Sequence, residues 1–455
     1  MAKGQLWETR PLEFWAKAKE LRAGWQKTAE DKDRLVGQGH TAGVMSYNWS
    51  QAFTDLFLIN DNPTGSMIQA KNDPYARKSR LAGEIRGWGR EICGYHGNCW
   101  GGQFLGYIED GSPWQRRKFV VPVPCVCDQH VKRGQQARDF ENMPQWMADR
   151  LTYMGPYDEE REKDMLEHKV YCFLRIVNDI ERIFGKKFEE EQVAGLISSN
   201  TVRSECAQEI FCTMARTIPA PISVKDLYSV FTIGGLTAVD PEETVKFWRM
   251  VRDEVKWRAE NQIAAVGNER FRWIEAHPPA WHFLKYYRYM EDYGAVCLGS
   301  QYIFMDDGNF EVKPDGSIGR RVEELCPFEE TFPADTPIVT REDCIRVGMG
   351  PLARPAPGNM KSDEYCYRNG IVKYAQFVQA DGALLPVWRH GVGSTMTRKE
   401  QAMYLKEAGL NVMHYEGSHP GDRTDLDEKR FLDQLDNWMQ GLGLRKITGQ
   451  EERKQ

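Results

Sequence analysis

The stretch Gly382-Ala383-Leu384-Leu385-Pro386-Val387-Trp388 is predicted to be a strand, and the chain around it sets the fold class. Helix candidates lie on both sides of it, over residues 371–379 and 398–408, and further strand candidates cover 294–299 and 411–415. Strands that alternate with helices are typical of an α/β fold with a parallel sheet. In such sheets, ligands bind at the carboxyl ends of the strands.

Working outward from that stretch, the patterns divide the chain of 455 residues into four parts. Residues 118–123 are a strand candidate rich in β-branched residues, with prolines at its end. Residues 158–276 have helical periodicity, and within them Asp240-Pro241-Glu242-Glu243 is a helix start signal. We therefore predict two flavodoxin-like (Rossmann-like) parallel-sheet lobes, a helical N-terminal segment and a helical middle region. The predicted bounds are a helical segment over 1–45, a first α/β lobe over 46–155, a mainly helical region over 156–285 and a second α/β lobe over 286–455.

Composition and charge indicate a globular enzyme. The formal net charge is −6, so nothing in the charge balance favours a nucleic acid or an anionic membrane surface as a partner. Residues 1–8 lack the apolar core of a signal peptide and no apolar run approaches the ~20 residues of a membrane span, so we expect a cytoplasmic protein. Eleven scattered cysteines, an odd number, indicate reduced thiols rather than a disulfide framework.

Two cysteines occupy positions that favour metal binding. Cys93 lies in a segment, residues 90–101, that is predicted to be a helix running out into a glycine-rich loop, and Cys127 follows the strand candidate over 118–123. Cys125-Val126-Cys127 is too tightly spaced for the common zinc pattern. The alternative for any cysteine is a small buried hydrophobe, and this is the favoured interpretation for six others, Cys172, Cys206, Cys212, Cys297, Cys326 and Cys344.

The motif Glu91-Ile92-Cys93-Gly94-Tyr95, with Cys127-Asp128 further on, resembles the benzoyl-CoA reductase and 2-hydroxyacyl-CoA dehydratase family. The likeness extends over most of the chain, including residues 380–385, 409–417 and the helix candidate over 426–439. Residues 85–90 and 420–427 are most similar to the O-type core subunit of the Bzd class of ATP-dependent benzoyl-CoA reductases.

The resemblance implies a 4Fe-4S cluster between two lobes, close to a bound CoA thioester. Cys93 and Cys127 would be two of its ligands, with Cys125 a less favoured substitute for Cys127. A third cysteine is expected about ten residues after Asp381, but the chain there has Trp388-Arg389-His390-Gly391-Val392-Gly393-Ser394.

Three interpretations of the missing ligand stay open. His390 or Ser394 replaces the thiolate or holds a water; Cys366 or Cys99 comes into range; or the subunit holds no stable cluster.

The resemblance also implies the reaction and the partners. The chain would be a core subunit that delivers low-potential electrons to the ring of benzoyl-CoA or a related aromatic thioester, giving a cyclohexadiene carbonyl-CoA. Its partners would be a homologous core subunit in a heterodimer, two ATPase subunits that activate the electrons, and ferredoxin as donor. ATP would act only through those subunits, since this chain has no phosphate-loop lysine motif. The alternatives are a 2-hydroxyacyl-CoA dehydratase subunit and a clusterless structural subunit.

Ring reduction needs protons, and His390, His96 and Glu416 are the candidate donors, with His130 as a further one. Trp88, Trp100 and Trp388 are candidates to line a dry cleft, although core packing is the more common role of tryptophan. Basic residues precede Cys93, and they either contact CoA phosphates or form a solvated helix start: Lys71, Arg77, Lys78 and Arg80.

Overall fold

The computed structural model defines two parallel sheets and the helices that cover them. The residues it describes are 6–29, 35–39, 53, 56–59, 73–89, 94–109, 111–114, 118–121, 129–146, 159–231, 241–275, 284–300, 310–312, 318–320, 340–348, 369–387, 398–416 and 426–447.

The first sheet consists of three short parallel strands, β1 (Leu35–Gly39), β2 (Leu56–Ile59) and β3 (Phe119–Val121), in the order β2-β1-β3. Both neighbours of β1 pair with it in parallel. The earliest strand in the chain therefore lies in the centre, and the carboxyl ends of all three meet at one edge.

Four helices belong to this part of the chain: α1 (Trp15–Ala29), α2 (Asp73–Glu84), α3 (Gly94–Leu105) and α4 (Gln129–Glu141). Helix α3 corrects a prediction, because the glycine-rich stretch after Cys93 is a helix rather than a loop. A Cβ on Gly101 would lie 1.7 Å from the backbone oxygen of Ser79, so glycine allows α3 to approach α2 closely. This helix contact overrides the low helix propensity of glycine.

The middle of the chain is helical, as predicted, and it comprises α5 (Glu159–Phe184), α6 (Glu190–Arg216), α7 (Val224–Phe231) and α8 (Pro241–Glu260). The apolar stripe of α5 is buried at Val170, Phe173, Val177 and Ile180. Helix α8 begins at the proline that the sequence marked as its first residue.

The second sheet has four parallel strands in the order β5-β4-β8-β9. They are β4 (Phe271–Glu275), β5 (Ala295–Ser300), β8 (Gly382–Val387) and β9 (Asn411–Glu416). The remaining elements are α9 (Leu284–Glu291), a hairpin of β6 (Phe310–Val312) and β7 (Ile318–Arg320), α10 (Arg341–Gly348), α11 (Asn369–Phe377), α12 (Arg398–Glu407) and α13 (Glu428–Gly441).

The largest hydrophobic core surrounds the second sheet. It includes Trp273 and Ile274 of β4, Leu385 of β8 and Leu435 of α13, all of them fully buried. Helices pack on a sheet whose central strands, β4 and β8, are buried along almost their whole length, which is the pattern of a parallel sheet covered on both faces.

The structure confirms the α/β class with parallel sheets, while the division into two separate lobes and the four predicted bounds stay predictions. Five strands were not among the predicted candidates: β1, β2, β4, β6 and β7. Of these, β1 lies within the segment 1–45 that was predicted to be helical, and β4 lies in the stretch to which the sequence assigned helical periodicity. Among the described helices, none is both long and apolar enough to cross a membrane.

Candidate functional site

The two sheets share one strand order. Numbered along the chain, the first sheet has the order 2-1-3 and the second 2-1-3-4, which is the flavodoxin-like arrangement. In this arrangement the connections reverse direction between the first and third strands, and ligands bind outside the carboxyl ends at that point. The candidate positions therefore lie at the ends of β1 and β3 in one sheet and of β4 and β8 in the other.

In the first sheet, the chain that leaves β3 carries the predicted cluster ligands. Cys125 and Cys127 fall between the end of β3 at Val121 and the start of α4 at Gln129. Both cysteines lie outside the described residues. Their place in the chain is nevertheless the segment after the third strand.

In the second sheet, the segment after the third strand carries the residues that were predicted as candidates for the missing cluster ligand. His390 and Ser394 follow β8 in the chain and also lie outside the described residues. Val387, the last residue of β8, pairs in register with Glu416, the last residue of β9. Glu416 is exposed there, so a predicted proton donor stands at the sheet edge from which the His390 segment departs.

Glu275 ends the central strand β4 and was not predicted. It is 4% exposed, and the hydroxyl of Tyr228 donates to its Oε1 in a short hydrogen bond. The buried Tyr415 of β9 also faces this charge: its pKa is raised well above the usual value, first by burial and then by Glu275. The signal that could have revealed Glu275 was the preceding segment Phe271–Ile274, in which three of four residues are apolar, read as a strand buried on both faces.

Cys93 directly precedes α3 in the chain and lies outside the described residues. His96, a predicted proton donor, is in the first turn of α3 and is 2% exposed. Its ring centroid lies 6.2 Å from that of Trp100. His96 is thus part of the packed interior of this region, whereas Glu416 is exposed at the second sheet.

The helices that follow Cys93 and Cys127 are joined at their C-terminal turns. Gln103 of α3 donates to Glu141 of α4 at 2.7 Å, and the rings of Phe104 and Phe140 meet edge to face at 5.0 Å. Trp114 donates to the same Glu141 carboxylate at 3.0 Å. The two cysteine-bearing segments therefore lead into one packed pair of helices.

A cleft lies between the end of α2 and the first half of α3. It is narrow, with about 10 Å³ of space for a water-sized molecule, and its walls include Arg80, Gly83, Glu84, Trp88, Gly97 and Trp100. The ring centroids of Trp88 and Trp100 are 4.2 Å apart, and the ring planes are tilted by 38° to each other. We call this site the indole cleft.

Of the predicted basic cluster, Arg77 and Lys78 lie on the exposed face of α2, while Arg80 is 9% exposed in the wall of the indole cleft. The Lys78 ammonium lies 5.2 Å from the ring centroid of Tyr107. Lys71 is outside the described residues. The choice between a phosphate contact and a solvated helix start stays a prediction.

The other described cysteines match the prediction of core packing in the main. Cys206, Cys297 and Cys344 are buried, and Cys172 and Cys212 are partly buried. Burial raises the pKa of Cys206 to about 11, and it raises that of Cys297 well above its usual value. A metal ligand must be a thiolate, so these two thiols are poor ligands.

Of the two alternative cysteine ligands, Cys99 lies within the described residues and Cys366 does not. Cys99 is 3% exposed within α3, and Cys366 lies outside the described residues, as does Trp388. Within the described ranges, no three His, Cys, Asp or Glu side chains come together in a group suited to a metal ion. A cluster with three or more such ligands would therefore need at least one ligand from outside the described residues.

The feature of the fold that bears on the class of protein is the flavodoxin-like strand order of both sheets. The family model of the 2-hydroxyglutaryl-CoA dehydratase D-component matches residues 77–326, more than half of the chain. The chain belongs to this family, within the 2-hydroxyacyl-CoA dehydratase and benzoyl-CoA reductase group. No curated protein matches the chain.

Membership of this family assigns the general type of enzyme. The chain is a component of an enzyme of the dehydratase and reductase type that acts on CoA thioesters, and that enzyme has several subunits. The matched residues include Cys93 and Cys127 but end before β8. The His390 to Ser394 segment therefore lies beyond the part of the chain that the family model covers.

Proposed function

We propose that the chain is a core subunit of an oxygen-sensitive, ATP-dependent benzoyl-CoA reductase of the Bzd O-type, with a 4Fe-4S cluster held in part by Cys93 and Cys127. The observation that carries the proposal is the shared strand order: in each sheet, the segment after the third strand contains a predicted corner of the cluster site. The cluster would supply single electrons to the aromatic ring, which no side chain can do.

The positions of α3 and α4 support thiolate ligands. Helix α3 begins one residue after Cys93, and α4 begins two residues after Cys127. The positive end of a helix dipole favours a nearby negative charge and lowers the pKa of a cysteine thiol. Both cysteines would thus be disposed to bind iron as thiolates, with Cys125 the less favoured substitute for Cys127.

For proton delivery, we favour His390 together with Glu416. Glu416 is exposed at the end of β9, beside the strand end from which the His390 segment departs. An exposed carboxylate can take a proton from solvent and pass it to a neighbouring imidazole. His96 would then have a packing role in α3, since it is 2% exposed.

The proposal includes partners. A homologous core subunit would complete a heterodimer, and two ATPase subunits would drive electrons from ferredoxin into it. The multi-subunit character of the matched family supports this arrangement. A cytoplasmic location fits a reducing environment for the free thiols.

A second candidate is a 2-hydroxyacyl-CoA dehydratase, which the name of the matched family favours. Electron stoichiometry separates the two. A ring reductase consumes two electrons for each product, with continued ATP turnover, whereas a dehydratase recycles its electron and needs only catalytic amounts. Benzoyl-CoA that consumes two reducing equivalents supports the proposal, and redox-neutral loss of water from a hydroxyacyl thioester would refute it.

The cluster itself is tested by substitution in the anaerobic complex. Cys93→Ala and Cys127→Ala are expected to abolish the iron-sulfur absorption, while Cys206→Ala, which removes a buried thiol, is the matched control and should retain it. A wild-type protein with little iron after anaerobic isolation would favour the clusterless subunit.

A further inference from the structure

Helix α2 and the turn that follows it expose a surface that is both apolar and basic. The exposed residues between 74 and 87 are Pro74, Arg77, Lys78, Leu81, Ile85, Arg86 and Gly87. None of these residues is acidic. We call the surface formed by Arg77, Lys78, Leu81, Ile85 and Arg86 the α2 face.

The apolar side chains of the α2 face are neighbours. Leu81 is 54% exposed and Ile85 is 74% exposed. Residues four apart lie on the same side of a helix, and the Ile85 amide donates to the Leu81 carbonyl oxygen at 3.0 Å, so the helical row includes Ile85. Single exposed apolar side chains are ordinary, whereas adjacent ones mark a surface that binds a partner.

The apolar surface continues across Arg86 onto α3 and α4. The Arg86 guanidinium lies 4.6 Å from the centroid of the Phe104 ring, and Phe104 contacts Phe140, which is 50% exposed. Arginine and aromatic side chains are enriched in protein interfaces, where a guanidinium stacked on a ring is already held in place. The surface therefore includes side chains from three helices.

The cations of the α2 face have no acidic partner within the described part of the chain. Lys78 and Arg86 lie over aromatic rings, and Arg77 makes no ion pair there. Other exposed cations are paired, as Lys246 is with Glu242 at 2.8 Å. The whole chain has a net charge of −6, so the positive charge of this face is a local feature that favours a partner with carboxylates.

We propose that the α2 face binds another subunit of the enzyme, which presents apolar side chains bordered by carboxylates. The multi-subunit character of the family provides such a partner. Leu81 and Ile85 would lie in the apolar centre of the interface, and Arg77 and Lys78 would pair with carboxylates at its rim. The inference requires this family membership, but it requires neither the cluster nor ring reduction.

The apolar contribution is tested on the complex isolated anaerobically through a tag on the full chain. Sedimentation velocity over a dilution series measures the dissociation constant of the complex. Leu81→Ala/Ile85→Ala should raise this constant about tenfold or more, because it removes the apolar centre of the interface. Alanine favours a helix and both side chains are more than half exposed, so the thermal unfolding midpoint of the isolated chain should stay near that of the wild type.

The charge contribution is tested by Arg77→Glu/Lys78→Glu. This variant should raise the dissociation constant about tenfold at low salt, and the difference from wild type should shrink as salt screens the charges. The matched control is Arg249→Glu/Met250→Ala, which changes an exposed cation and a 43% exposed methionine on α8 and should leave the constant unchanged. Wild-type affinity in both α2 variants overturns the proposal, as does an equal loss in the control.

Two other occupants would also overturn the proposal. Binding to phosphatidylglycerol vesicles that Leu81→Ala/Ile85→Ala abolishes, with the complex as tight as wild type, would assign the α2 face to a membrane surface. Binding of free CoA that only Arg77→Glu/Lys78→Glu weakens, again with an unchanged complex, would assign the cations to phosphate groups.

The result is separable from the fate of the proposed function. A complex that holds no iron but dissociates more readily in both α2 variants would refute the cluster and support the α2 face as an interface. A complex that holds iron and stays as tight as wild type in both variants would do the reverse. A full chain that is isolated without any other subunit would contradict the inference directly.

Discussion

The two sheets have the same strand order but are stabilised differently. The first has strands of three to five residues, and its helices α2 and α3 approach each other through glycine. The second has strands of five and six residues inside the largest core. The comparison indicates that the second sheet provides the stable framework, while the proposed cysteine ligands belong to segments of the chain around the first sheet.

The region of the second sheet also contains a buried charged residue, Arg272, with several partners. In the second sheet region Arg272 is 1% exposed, and its guanidinium donates to the carbonyl oxygen of Met214 at 3.0 Å and lies 3.5 Å from Glu269. Its backbone N–H donates to Asp381 at 2.8 Å, next to the start of β8. These contacts anchor β4 to α6 and to the start of β8.

The largest expected effect on stability comes from replacing the buried Arg272. Arg272→Met should destabilise the protein by about 3–5 kcal/mol, because it leaves the buried Glu269 without its partner. Thermal and denaturant unfolding measure it. Arg252→Met, which removes a partly exposed pair with Asp253, should cost less than about 1 kcal/mol. Equal losses in the two variants would contradict the framework role.

Cysteine reactivity distinguishes the two regions chemically. With a pKa of about 11, the Cys206 thiol is about one part in a thousand thiolate at pH 8, so it should be alkylated roughly two hundredfold more slowly than an ordinary cysteine. Mass spectrometry after iodoacetamide treatment of iron-free protein should show Cys93 and Cys127 modified first. Early modification of native Cys206 would argue against its place in the core.

Gly101→Ala tests the close approach of α2 and α3 in the first region. The added Cβ overlaps the Ser79 backbone, which cannot move like a flexible side chain, so we expect a loss of about 2 kcal/mol. Gly97→Ala in the same helix is the control and should be neutral or slightly stabilising. A neutral Gly101→Ala would mean that the helices separate easily.

The smallest effect concerns the contact of α10 with α5 and α6. Arg341 binds Glu181 at 2.5 Å and Glu190 at 3.0 Å. Burial acts to raise the pKa of Glu181, but hydrogen bonds from Arg341 and from the Phe188 backbone outweigh it, so the net shift is downward.

A carboxyl whose pKa is lowered by folding stabilises the protein above its ordinary pKa, about 4.3 for glutamate, and loses that contribution as the pH falls below it. Arg341→Ala should therefore cost about 1 kcal/mol at pH 7, and the difference from wild type should shrink in acid. Unfolding midpoints measured across this range check the sign, with Glu181→Gln as the matching variant. A difference that grows in acid would contradict it.

Sequence reasoning found the elements whose signals are local. Strands β8 and β9, and helices α8 and α12, lie within a few residues of their predicted positions because turns, caps and apolar patterns mark them. Strand β4 was missed because it is short, is buried on both faces, carries Arg272 among its apolar residues and directly follows long helices. The extent of helix α3 was missed because the close approach to α2 that favours glycine at Gly101 is a tertiary contact.

The site was less accessible from sequence. Cys93 and Cys127 were selected through a family resemblance, since their spacing matches no compact metal motif. Glu275 was not predicted, because what distinguishes it is its burial and a hydrogen bond from Tyr228, 47 residues away. Such features depend on the tertiary structure.

The central claim is that segments from both sheets hold one cluster. Mössbauer spectra of the anaerobic, iron-57-labelled complex test it most directly, with Cys127→Ala in the first sheet region and the double variant His390→Ala/Ser394→Ala in the second. We predict that the first variant loses the cluster signal and that the second keeps iron but changes the spectrum of one iron site. Wild-type spectra in the double variant would contradict the claim.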